Sequence, residues 1–134
     1  MSEELRDVLK AISSNLTNLE YAALVTAEML GEARHQEFQA RRSVVVAKAA
    51  QAGATATVKK TLQDSGAIDG RNADTRKLQL ETALANDPTL SAHEASVERA
   101  EHEYGGATIA VQYHQDLFKV LIEAVRREKN ERTG

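Results

Sequence analysis

The chain has 134 residues, the length of one domain, and its 17 Lys and Arg against 20 Asp and Glu leave a net charge of −3, too mild to demand a charged partner. It has no Cys, which excludes a disulfide framework, thiolate metal ligands and a cysteine nucleophile. No apolar run approaches the ~20 residues of a membrane span, and the start lacks a basic stretch followed by an apolar one, so a soluble, cytoplasmic protein that avoids membranes is expected.

Leu5, Val8, Leu9 and Ile12 recur at helical spacing and predict a short helix over about residues 3–12, interrupted by Ser13, Ser14 and Asn15. Thr17 and Glu20 form a capping box, with Leu16 and Tyr21 placed as a hydrophobic staple. A long helix is expected from there over about residues 17–52, with Gly53 as its stop. A weaker helix follows over about 56–65, ended by Gly66, and then a loop to Gly70. Asn72 or Asp69 can cap a helix running to about Ala85. Asn86, Asp87 and Pro88 end it, because the residue before proline is pushed out of the helical region. Ser91 and Glu94 form a second capping box and open the last long helix, about residues 91–128. Gly105 and Gly106 lie inside that helix and cost roughly 1 kcal/mol each relative to alanine, so a continuous helix with a weak point is expected there. No segment shows sustained strand alternation.

The long helices carry the clearest periodicity. In the last one, Leu90, His93, Val97, Ala100, Tyr104, Ala107, Val111, His114, Phe118, Leu121 and Val125 step alternately by three and four, which is a heptad seam. In the first, Leu16, Leu19, Ala23, Ala27, Leu30, Arg34, Phe38, Arg41, Val45, Ala49 and Ala52 step closer to an eleven-residue period, which favours a straighter or right-handed course. At ~1.5 Å per residue the two helices are matched in length, near 55 Å each. The expectation is an all-α, elongated, antiparallel helical hairpin or coiled coil, a single domain over 1–134, with short helices at the N-terminus and in the connection. With 22 Ala and five Phe and Tyr, such a hairpin fills a core poorly. Leu24, Val25, Val44, Val46, Ile109 and Ile122 fall beside or outside the seams and need cover, and self-association is the simplest way to supply it.

Residues 34–77 hold nine basic and four acidic side chains, whereas the final helix is acidic, with Glu94, Glu98, Glu101 and Glu103. One reading is a phosphate-binding surface in which Arg41, Arg42, Lys59, Lys60, Arg71, Arg76 and Lys77 contact nucleic acid. The other is that the segment lies against the acidic helix and is neutralised within the chain or across a dimer. The second is preferred, because Phe38 is the one aromatic residue in the basic stretch and sits on the stripe. Glu32 and His35 form a Glu-x-x-His pair, with Glu98, His102 and His93 as potential partners, but a di-iron bundle needs a second such pair and two more Glu. No metal and no cofactor are expected. No Ser or carboxylate is spaced to orient His93 or His114 as a base, so no catalytic residue and no enzyme activity are expected. Gly66 to Arg71 lacks the preceding strand and the Gly-Lys-Ser/Thr ending of a phosphate loop.

Residues 70–80, Gly-Arg-Asn-Ala-Asp-Thr-Arg-Lys-Leu-Gln-Leu, are followed by Asn86 and Asp87 and then by an acidic, Ala-rich helix containing Glu98, Arg99, Ala100 and Glu101. This stretch resembles short helical proteins encoded by tailed phages and prophages, in which an Asn-Ala-(acid)-x-Arg-Lys-x-Gln-Leu turn joins two long helices. The resemblance covers about residues 66–104 and the general architecture. It implies a phage origin and a small accessory role, and it carries over no catalytic residues. Gly105 and Gly106 depart from the pattern.

The function expected is that of a non-enzymatic helical binding and oligomerisation protein, acting through protein–protein contacts with itself and a further partner. Two alternatives stand beside it. One is a nucleic-acid-binding accessory protein using residues 34–77. The other is a small-ligand or metal-binding bundle.

Overall fold

The computed structural model describes residues 3, 4, 6, 7 and 16–133. Among them are three long or medium helices and no strand: α1 (Asn18–Asp64), α2 (Ala73–Ala85) and α3 (Pro88–Thr133). The two long helices pack against each other, consistent with a helical hairpin. Most of the expected N-terminal helix lies outside the described residues; residues 3, 4, 6 and 7 are helical. The chain divides into two compact units, residues 1–39 with 105–134, and residues 40–104.

Each helix end has an identifiable local cause. The Glu20 N–H donates to Thr17 Oγ1 at 3.1 Å, satisfying one of the free amides at the start of α1. The return half of the box differs from the expected one: the Thr17 hydroxyl and the Glu20 carboxylate bond each other at 3.3 Å. α1 runs for 47 residues and passes straight through Gly53, so the two helices expected over 17–52 and 56–65 are one. Gly53 keeps an ordinary helical backbone, since Gly66 is the glycine with positive φ among the described residues. The inward spacing also continues beyond it through Ala54, Val58 and Leu62. A mid-helix glycine costs about 1 kcal/mol, which continued packing can offset. Gly66, at φ 76°, is the true stop, with the Ser65 N–H donating to the Thr61 carbonyl at 3.0 Å.

Asn72 caps α2, accepting from the Thr75 N–H at 2.8 Å, and Asp69 does not take that role. α3 begins three residues before the expected Ser91, because Asp87 is the cap and Pro88 the first helical residue. The Leu90 N–H donates to Asp87 Oδ1 at 3.0 Å. Proline ends a preceding helix but also suits the first position of the next one, where no amide is needed. α3 is continuous through Gly105 and Gly106 and ends at Thr133, beyond the expected 128.

The side of α1 that faces inward differs from the expected stripe. Ala27, Arg34, Phe38, Arg41, Val45, Ala49 and Ala52 are all exposed. In the first unit the covered positions include Leu19, Ala23, Thr26, Leu30, Ala33 and Glu37. In the second they are Ala40, Val44, Ala47, Gln51, Ala54, Val58 and Leu62. These step by four and three, so α1 carries a heptad and not an eleven-residue period. Its inward residues mix Leu19, Leu30, Val44, Val58 and Leu62 with small or polar side chains, whereas Phe38 and Val45 point outward. Thr26 is buried and its hydroxyl donates to the Ala22 carbonyl at 2.8 Å, which satisfies it within the helix. On α3, Val97 and Ala100 are buried, and Tyr104, Val111, His114, Phe118, Leu121 and Val125 are half-buried. Ala23, Thr26, Leu30, Ala33, Val97 and Ala100 are the buried residues among those described, and only one of them is as large as leucine.

Candidate interaction surfaces

The turn before α2 is a built structure. Gln79 reaches back from α2, its Oε1 accepting from the Gly70 N–H at 2.8 Å and its Nε2 donating to Asp69 Oδ1 at 3.0 Å. Arg76 Nη1 donates to the Gly70 carbonyl at 3.2 Å. A Cβ at Gly70 would lie 2.7 Å from Thr75 Cγ2, so the backbone approaches α2 more closely than any side chain permits. Asn72, Arg76 and Gln79 thus hold the turn together. Gln79→Ala removes two hydrogen bonds and is expected to cost about 1 kcal/mol in a denaturant titration. An unchanged midpoint would show that the turn does not depend on the clamp.

This assignment changes the reading of the basic segment. Arg41, Arg42, Lys59, Lys60, Arg71, Arg76 and Lys77 are all exposed, but Arg76 is engaged with the turn. They lie in a unit, residues 40–104, that holds nine basic and nine acidic side chains and is therefore neutral. Lys48 Nζ lies 3.3 Å from Glu101 Oε1, joining basic α1 to acidic α3 within that unit. The pair is exposed and worth at most about 1 kcal/mol. It places one basic side chain of α1 beside one acidic side chain of α3.

No group of three or more His, Asp or Glu able to hold a metal ion occurs among the described residues. His35 and Glu32 are exposed on α1, as are Glu98 and His102 on α3. His93 and His114 are half-buried on the covered side of α3. The His114 ring meets Tyr113 edge-on, with centroids 5.2 Å apart at 71°. Its Nδ1 is buried and has no hydrogen-bond partner. Replacing it with an apolar side chain removes that unmet desolvation. His114→Leu is therefore expected to stabilise by roughly 1 kcal/mol in thermal melts. Destabilisation would mean that the nitrogen gains a partner in solution.

The first unit carries the most exposed apolar surface. On α3, Ile109 is 72% exposed, Tyr113 62%, Leu117 36% and Val120 65%. Their spacing of four, four and three puts them on one helix face, away from the covered Val111, His114 and Phe118. Val120 and Ala124 continue with Leu19 into an open groove of about 670 Å³, rimmed by Lys119, Glu123, Arg127, Glu128 and Glu131. Polar groups flank the stripe, with Gln112 Nε2 donating to Asp116 Oδ1 at 2.9 Å. Sequence reasoning singled out Ile109 alone. The others were legible as a second three-four spacing displaced from the seam, which the stronger heptad signal masked. No helix among the described residues is long and apolar enough to cross a membrane. The chain matches no protein-family model, no curated protein and no solved structure.

Proposed function

We propose that this chain is a non-enzymatic helical binding protein that self-associates and acts through protein–protein contacts, as a small accessory factor of phage or prophage type working in the host cytoplasm. The observation that carries this reading is the mismatch between covered and uncovered apolar side chains. Among the described residues only one as large as leucine is buried, while Ile109, Tyr113 and Val120 keep more than 60% of their surface. A contiguous apolar stripe with a polar border is the usual mark of a protein contact site. The phage assignment rests on the resemblance of the turn, and the coiled-coil packing on the heptads of α1 and α3. The neutral balance of residues 40–104 argues against nucleic acid as the main partner. Light scattering on the eluting protein tests the proposal: a dimer or larger species supports it, and a monomer at micromolar concentration with cooperative melting rejects it. A gel shift in low salt adds the second arm. Tight, salt-sensitive retention of DNA, lost when Arg71 and Lys77 become Glu, would favour the nucleic-acid reading instead.

A further inference from the structure

We infer that a second copy of this chain docks antiparallel on the α3 face that runs from Gly106 to Ala124. The inference deepens the self-association reading and rests on it, by naming the surface and its geometry. Gly106, Ile109, Tyr113, Leu117, Val120 and Ala124 follow one another by three, four, four, three and four residues, so they form a single stripe. All six belong to the same compact unit.

The order of residue types along the stripe reads the same from either end: small, β-branched, large, large, β-branched, small. A twofold axis near residue 115 then sets Gly106 opposite Ala124, Ile109 opposite Val120, and Tyr113 opposite Leu117. Each pair occurs twice, as an isologous contact requires. An unrelated partner would place no such symmetry on this helix. A parallel arrangement would instead set each residue against itself.

The glycines supply an independent argument. Gly105 and Gly106 lie inside a continuous 46-residue helix, yet nothing among the described residues calls for them. Neither has a positive φ, both are exposed, and a Cβ at either would meet no atom within 4 Å. A mid-helix glycine is destabilising, so its presence on open surface fits a close approach by something outside the chain. Gly106 stands at the end of the apolar stripe, where the partner's helix would cross. The Gln112–Asp116 pair provides a polar flank at its middle. The stripe is about 28 Å long. One helix-on-helix contact of that length falls short of the ~800 Å² per partner of a standard interface, so association in the micromolar range is expected.

Two variants and one cross-linking experiment test this on the full chain. Gly106→Leu should raise helix stability while weakening self-association about tenfold or more, because the same side chain that favours the helix blocks the approach. Tyr113→Glu, at an exposed position, should leave the circular dichroism spectrum unchanged and weaken association similarly. Because the chain has no cysteine, Tyr113→Cys and Leu117→Cys can be oxidised separately and as a mixture. Antiparallel docking predicts that the mixed 113–117 disulfide dominates; dominance of 113–113 and 117–117 disulfides would overturn it. Undiminished association of both Gly106→Leu and Tyr113→Glu would move the interface elsewhere and leave the self-association reading standing. A monomeric wild-type chain would remove both.

Discussion

Leu30→Ala is expected to destabilise the chain by about 2–5 kcal/mol, the range for truncating a buried leucine. Leu30 is 6% exposed, and the other buried residues among those described in its unit are Ala23, Thr26 and Ala33, which are small. There is little neighbouring bulk to collapse into the space, so the cost should not fall below that range. Val45→Ala is the paired control. Val45 lies on the expected stripe of α1 but is 64% exposed, and its truncation should stay within about 0.5 kcal/mol. Urea titration of both variants decides between the two registers of α1. Near-equal losses, or a larger one at Val45, would return the eleven-residue stripe and contradict the heptad.

Gly105→Ala combined with Gly106→Ala is expected to raise the stability of the isolated chain by about 2 kcal/mol, from relief of two helix-interior glycines. Both positions have open space where the methyl group would go, so no repacking cost offsets the gain. At low micromolar protein the double variant should melt above the wild type. At high concentration the advantage should shrink, because the wild type gains from association and the variant does not. A constant advantage at all concentrations would show that the glycines play no part in any contact.

How much was legible depended on where large apolar residues sit. The covered side of α3 could be read because Val97, Tyr104, Val111, Phe118, Leu121 and Val125 carry bulk at successive heptad positions. The covered side of α1 could be read at Leu16, Leu19, Ala23 and Leu30 but not from Arg34 onward, because Ala40, Ala47 and Ala54 face inward alongside Glu37 and Gln51, while Phe38 and Val45 face solvent. Hydrophobic periodicity follows large residues, and in this stretch Phe38 and Val45 mark the wrong side. Gly53 and Pro88 misled for a related reason. Each is a local breaker whose effect depends on its neighbours: packing carries α1 past Gly53, and Asp87 converts Pro88 from an end into a beginning.

At the turn, Asn72 was readable as a cap because its partner Thr75 is three residues away. The Gln79 clamp was not, since it joins residues nine and ten apart whose proximity exists only once the loop has folded. The candidate cations were visible as a charge block, but the acidic side chains that balance them within residues 40–104 come from distant segments of the chain. The stripe from Ile109 to Val120 was visible in principle. It was overlooked because a helix with one strong seam is easily read as having only one.

Protein concentration is the variable that tests the central claim most directly. If the chain covers its apolar α3 face by self-association, dissociation accompanies unfolding, and the melting temperature must rise with total protein. Scans of the wild-type chain from low to high micromolar concentration should show a steady upward shift, with light scattering reporting the dimer at the upper end. A melting temperature that stays constant across that range, for a species with the mass of one chain, would contradict the account.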